Sequence, residues 1–293
     1  MSERHTLQTE AIIATIDPHG AELVSLAFAG GPEMLWQAGP IWPRHAPILF
    51  PIVGRLAGDT LRVDGRAFHM GQHGFARDSV FGWGERAKTH CRLVLKDTEQ
   101  TRGAYPFAFR FEVAYAVSHA TLLVTLHLTN TGDVVLPASM GAHPAFVWPL
   151  AAGIAKTDHT LTFGVDEPGP IRRVSRGLLR PEAFASPIRG RGLKLDPALF
   201  EDDALILDPV ASHNVVYAAT DAAPRLTMSW SGFPQLGMWS KPDADFLCLE
   251  PWHGFASPEG FDGDIRDKPG IMHLAPHTSR IGSFCVTLRP PLK

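Results

Sequence analysis

Nothing in this sequence of 293 residues is abundant enough to assign it to a special class of protein. Cysteine is scarce: Cys91, Cys248 and Cys285 are odd in number, far apart and without a CxxC pair. That excludes a disulfide framework and fits reduced thiols in a cytoplasmic protein. An excess of charge is also missing, with 27 basic residues against 30 acidic ones and a net charge of -3. No electrostatic reason exists to expect nucleic acid or an anionic membrane as a partner. No run reaches the ~18 apolar residues that a membrane helix needs. The first ten residues are polar, carry Glu3, Arg4 and Glu10, and lead into no apolar signal core. The expectation is a soluble, cytoplasmic protein, with monomer and homodimer both open.

Familiar catalytic signatures are absent as well. There is no P-loop, no GxSxG elbow, and no HxH or HExxH among the 14 histidines. Gly82-Trp83-Gly84-Glu85-Arg86-Ala87 formally matches a dinucleotide fingerprint. That fingerprint must open a helix facing the pyrophosphate, whereas this one runs into the strand-like Lys88–Leu95. It reads as a glycine-rich hairpin turn. No metal and no organic cofactor are expected, unless distant residues assemble a site that spacing cannot reveal.

What the chain does have is apolar material, 45% of its residues, punctuated throughout by 27 glycines and 25 prolines. Few windows can hold a long helix. The legible period is two. Phe107, Phe109, Phe111, Val113, Tyr115 and Val117 alternate with small or polar residues, and Leu122, Val124, Leu126 and Leu128 share one face of Thr121–Thr129. Ile12–Ile16 and Leu23–Phe28 flank a turn, and Asp64-Gly65 joins Leu61–Val63 to Ala67–His69 as a favoured hairpin dipeptide. Asp196–Asp203, with Pro197 near its start, is the best short helix. Glu167–Lys194 reads as a long loop within one domain spanning residues 1–293. Many short strands without βαβ alternation predict an all-β fold, a large antiparallel β-sandwich.

Three segments join an acid or base to a stiff backbone. In Gly71-Gln72-His73-Gly74-Phe75-Ala76-Arg77, flanking glycines permit positive φ and present the imidazole from a bend; alone, the segment reads first as a turn histidine. In Met140-Gly141-Ala142-His143-Pro144-Ala145-Phe146, the proline biases His143 towards extended geometry. A strand-end histidine bonded into the core explains it equally well. Phe246-Leu247-Cys248-Leu249-Glu250-Pro251-Trp252 is apolar enough to be buried on both faces. Period two puts Glu250 on the face of Phe246 and Cys248. A carboxylate there is costly unless paired, which makes Glu250 a functional candidate ahead of a structural ion pair. Two histidines and a glutamate describe general acid-base chemistry. Trp252, Trp239 and Phe75 lie near them in sequence as stacking surfaces for a sugar, or as core aromatics.

In this order these residues resemble the aldose 1-epimerases, most closely a bacterial branch, nearly end to end. Gly20–Leu26 is similar to the opening hairpin, and Leu35-Trp36-Gln37 and Pro47–Leu56 to the segment before the first active-site histidine. HGFAR (His73–Arg77), HPAF (His143–Phe146) and LEPW (Leu249–Trp252) follow. The resemblance implies a β-supersandwich with Glu250 as base, His143 as acid and His73 as a second histidine near the ring oxygen. It implies Arg55 as a substrate-binding arginine, with Arg77 part of the signature. The sugar-contacting aspartate falls on Asp203, with Asp202 as rival.

The implied reaction opens the hemiacetal of an aldose, rotates C1–C2 and closes the ring on the other face, and it calls for no cofactor. The expected partner is a small-molecule sugar. A neutral aldose is expected over a sugar phosphate, because Arg44 and Lys241 are the only basic groups near the motifs without another role. Outside catalysis, the alternative is a carbohydrate-binding β-sandwich. A glycosidase fits less well, since it needs two facing carboxylates. Cys248 has no assigned role.

Overall fold

The computed structural model describes residues 3–220 and 223–291. Strands dominate, and the expected antiparallel architecture is present. One sheet has nine strands, running in space from Gly192–Lys194 through Thr160–Phe163, Asn214–Ala218, Arg225–Ser231, Ser279–Arg289, Thr121–Asn130, Phe109–Ser118 and His90–Lys96 to Gly82–Arg86. A second sheet runs from Leu205–Leu207 through Gln235–Trp239, Phe246–His253 and Met140–Ala142 to Ile48–Leu49, with Ala145–Val147 also paired to Phe246–His253.

The period-two patterns become buried faces. In Phe109–Ser118 the residues Phe109, Phe111, Val113, Tyr115 and Val117 are buried. They share a core with the second sheet: Phe50, next to Ile48–Leu49, stacks on Phe111 with ring centroids 4.6 Å apart and meets Phe109 at 4.9 Å. Leu123, which breaks the alternation of its strand, is the exposed residue there. Ile12–Asp17 pairs with Glu22–Phe28 as expected. Asp64 (φ 49°) and Gly65 (φ 74°) adopt the left-handed backbone that their hairpin turn demands.

Two expectations need adjustment. Gly82–Arg86 is itself an edge strand with a register shift at Gly84, and the turn follows it; it opens no helix, as a dinucleotide site would require. The short helix is confined to a 3₁₀ turn, Pro197–Phe200, capped by the Asp196 carboxylate on the Ala198 N–H. The Glu167–Lys194 segment holds one small hairpin, Val174–Ser175 with Leu178–Leu179, and its end is not loop: Gly192–Lys194 is the edge strand of the nine-stranded sheet, paired to Thr160–Phe163.

The second sheet has two differently used faces. Along Phe246–His253, Leu247 and Leu249 enter the main core, while Phe246, Cys248 and Trp252 belong to separate clusters on the opposite side. Neighbouring strands follow: Leu205, Leu207, Leu236, Met238, Met140 and Ala142 face the core, and Ile206 and Trp239 face away. Loops cover that outer face, and a cavity lies between loops and sheet.

Candidate active site

The cavity, of about 240 Å³, is lined by Gln72, His73, Arg77, His143, Asp203, Trp239, Glu250 and Trp252, among others. The three motif segments, up to 177 residues apart in sequence (73 to 250), thus meet in one place.

Strand alternation brings Glu250 here. It is 1% exposed, and its Oε2 lies 3.1 Å from His143 Nε2. That contact lacks the alignment of a hydrogen bond, and Oε2 has no other partner. Among the described residues no arginine pairs with the carboxyl. Burial, and then the charge of Asp203, push its pKa well above the ordinary carboxylate range. His143 is held by its backbone N–H on the Pro47 carbonyl, 3.0 Å away. Burial, joined by Arg77 and Arg44, pushes its imidazole down to about 3. The two groups share one fate: each is kept from its charged form by the same dry environment.

His73 arrives differently. Its φ is 65° and that of Gly74 is 73°, so the bend permitted by the flanking glycines is the one adopted. A Cβ at Gly74 would clash with the Phe50 carbonyl. The Gly54 N–H donates to His73 Nδ1 at 3.1 Å. Nδ1 is therefore the acceptor, and the neutral ring carries its proton on Nε2. Burial and His143 hold His73 well below the usual histidine range, so it stays neutral. Nε2 lies 3.3 Å from the Gln72 side-chain nitrogen, and turning the amide over puts its oxygen, the atom suited to a ring N–H, in that place. The rings of His73 and His143 meet edge to face at 5.6 Å.

Arg77 lines the cavity. One Nη2 donates to the Gln72 carbonyl at 2.6 Å, and Nε is buried without a partner. Burial and neighbouring Arg44 lower its pKa to about 10. Arg44 Nη2 is 2.8 Å from Asp78, and Arg77 Nε is 3.7 Å from the same carboxylate. Arg55, by contrast, is not among the lining residues. Its guanidinium clasps Asp59 at 2.6 and 2.7 Å, and its stem lies against Gly177, which does line the cavity. Lys241 is also spent elsewhere, donating to the Ile41 carbonyl at 2.8 Å beside the loop that carries Trp42.

Of the two aspartates, Asp203 reaches the cavity. Arg173 clamps its turn by donating to the carbonyls of Leu199, Asp202 and Asp203. The Asp203 carboxylate accepts from the Ala204 N–H at 2.7 Å, and burial raises its pKa. Asp202 points to solvent and pairs with Arg180 at 3.3 Å.

Aromatic walls complete the site. Trp252 lies over Gly237 and Gly141, where a Cβ on either would strike its ring, so those glycines are required by close approach. Trp239 stands edge-on to His143 at 5.6 Å. Trp42, not foreseen from the sequence, covers His143 at 5.1 Å. Gln72, Val174 and Ile206 are further lining residues that the motifs did not single out as such. Phe75 instead packs in the core against Phe50, Tyr105 and Phe109. Cys248 is fully buried beneath the cavity floor, and its Sγ, His143 and Glu250 donor atoms lie within 4.8 Å of one another.

A buried glutamate and histidine in contact thus lie under aromatic walls on the outer face of the second sheet. The sequence profile of the aldose 1-epimerases matches residues 3–268, and the chain belongs to that family. The chromosomal and plasmid LacX proteins of Lactococcus lactis are each 30% identical over 96% of this chain and 98% of theirs. A galactose mutarotase related enzyme from Lactobacillus acidophilus superposes with a TM-score of 0.91 at 32% identity, covering 99% of both chains. A galactose mutarotase-like protein from Lactobacillus casei does so at 0.91 and 28%, covering 98% of this chain and 100% of that one.

Proposed function

We propose that the protein is an aldose 1-epimerase that interconverts the α and β anomers of a neutral aldose. The observation that carries the reading is the Glu250–His143 contact at 3.1 Å on the floor of a cavity that combines aromatic walls with His73, Arg77 and Asp203. The pair shares one proton, and at rest burial keeps both groups uncharged. In the reactive tautomer, with that proton moved to His143, Glu250 as carboxylate takes the anomeric hydroxyl proton while His143 as imidazolium protonates the ring oxygen. The C1–O5 bond breaks, an aldehyde forms, C1–C2 rotates and the steps reverse. Opening converts a carboxylate and an imidazolium into two neutral groups. Burial favours that direction, raising the basicity of Glu250 and the acidity of His143 together.

His73, as a neutral Nε2–H donor, steadies an oxygen near the ring without taking part in net proton transfer. Asp203 binds a hydroxyl at the far side, and Trp239 and Trp252 stack on the apolar face of the ring. Arg55 has its guanidinium occupied by Asp59, and in this reading acts at the rim by supporting Gly177.

A second reading, a sugar phosphate as substrate, is favoured by one observation: Arg77 and Arg44 converge on Asp78 beside the cavity. Nuclear magnetic resonance exchange over a panel of free and phosphorylated aldoses decides between them. Faster catalysed exchange for glucose or galactose supports the neutral sugar. A kcat/KM preference of about 100-fold for glucose 6-phosphate, fading as salt screens the charge, selects the phosphate. No exchange with any aldose leaves a carbohydrate-binding module.

A further inference from the structure

The Phe246–His253 strand brings Cys248 under Glu250 two residues away, and the Met140–Ala142 strand leads His143 to the same spot. One imidazole nitrogen, one carboxylate oxygen and one sulfur lie within 4.8 Å of one another. All three side chains are more than nine-tenths buried, and Glu250 Oε2 has no hydrogen-bond partner. Around a tetrahedral zinc with Zn–N and Zn–O near ~2.0 Å and Zn–S near ~2.3 Å, ligand atoms sit about 3.3–3.6 Å from each other. The 3.1 Å between His143 Nε2 and Glu250 Oε2 is close to the shortest of these edges, and the sulfur, within 4.8 Å of the other two donors, needs only a small side-chain shift to complete the set. His143 and Glu250 also line the cavity, so the fourth position of such a centre opens towards the substrate space.

We propose that His143, Glu250 and Cys248 form a latent site for a thiophilic divalent cation, Zn²⁺ being the natural fit, whose occupancy silences the protein. The cation takes the Oε2 and Nε2 atoms that the proposed reaction needs, and it displaces the thiol proton and any proton on Glu250 to solvent. Substrate and cation therefore exclude each other. The inference rests on the proposed acid-base role for its inhibitory consequence, but the binding site stands without it.

The test uses full-length protein freed of metal with a chelator and then dialysed. Titrated with Co²⁺, the wild type acquires a thiolate-to-cobalt charge-transfer band at one equivalent, with the d–d intensity of a four-coordinate site. Cys248→Ala loses the band and binds Zn²⁺ about 100-fold more weakly, the share of one ligand in a four-ligand site. Glu250→Gln keeps the band but weakens it in affinity, and it serves as the deciding variant should Cys248→Ala fail to fold. In polarimetry, Zn²⁺ inhibits the wild type competitively with sugar, and chelator restores the rate. No band, a band that survives in Cys248→Ala through Cys91 or Cys285, or Co²⁺ affinity unchanged in Glu250→Gln overturns the site. A protein inactive on every aldose that still gives the Cys248-dependent band would remove the epimerase reading and leave the metal site standing.

Discussion

Replacing Glu250 by glutamine tests the proposed chemistry at its centre. The substitution is nearly isosteric, so the strand keeps its register and the amide occupies the same pocket. What disappears is the group proposed to accept the anomeric proton. The carboxyl is 1% exposed, which leaves little room for a water to stand in as base. His143 also loses the proton that it shares with Glu250 across 3.1 Å and stays neutral, so in the proposed mechanism the acid goes with the base. Loss of a positioned base costs ~10²–10⁴-fold, and loss of the pair puts the expectation at the upper end, roughly 4–5 kcal/mol of barrier. Stability should hold or rise, because a buried ionisable group has been removed. Polarimetry on the purified variant, corrected for spontaneous mutarotation, measures the rate, and circular dichroism checks the fold. A folded variant within about threefold of the wild-type rate would take Glu250 out of the mechanism.

His143→Asn should lose a comparable factor, and the double variant should be little worse than either single one, because the pair acts as a unit; fully additive losses in the same assay would argue for independent roles. The pH profile of kcat/KM should lack a limb near 6.5. Burial resists a second proton on the pair until His143 titrates at about 3, and it resists loss of the last proton until above the ordinary carboxylate range; an acid limb centred near ~6.5 would mean that His143 titrates as an exposed histidine. Chelator should leave the rate unchanged or raise it, and activity abolished by chelation and restored by one divalent ion would refute a metal-free mechanism. Lys268 offers a test away from the chemistry: it donates to the Phe255 and Pro269 carbonyls, and burial lowers its pKa to about 7. Between about 7 and ~10.4 the unfolded chain holds a proton that the folded one has lost. Wild-type stability should therefore climb over that window relative to Lys268→Met, by a few kcal/mol, and run parallel to it below about 7; denaturant melts at several pH values give the answer.

The fold was legible because its signals are local. Alternation in Phe109–Ser118 and Thr121–Asn130 is a property of ten consecutive residues, and Asp64-Gly65 specifies its turn alone. The 3₁₀ turn at Pro197 was overread as a longer helix because a proline and a cap mark where a helix begins but not where it ends. Gly82–Arg86 was misread in the opposite sense: glycines suggested a turn, while pairing to His90–Lys96 made an edge strand with a shift at Gly84.

The candidate site was legible in so far as its chemistry required unusual residues in unusual settings. A glutamate ending an apolar run must be explained by something, and strand alternation alone put it on the face of Cys248. Arg55 and Arg77 expose the limit of that kind of reasoning. Both are arginines beside a motif, yet one turns to Asp59 four residues on and the other lines the cavity with Nη2 on the Gln72 carbonyl and Nε 3.7 Å from Asp78. The difference lies in their partners, because an i,i+4 carboxylate holds one guanidinium while the carbonyl of Gln72, at the bend before His73, holds the other. Trp42 was invisible for the same reason. It sits in a proline-flanked loop without periodicity, and what presses it onto His143 is Trp239 and Phe246 from the second sheet, with Lys241 on the neighbouring Ile41 carbonyl holding the loop. The residues proposed to do chemistry can thus be found from their own improbability, whereas those that shape the cavity are ordinary residues made special only by where distant strands bring them.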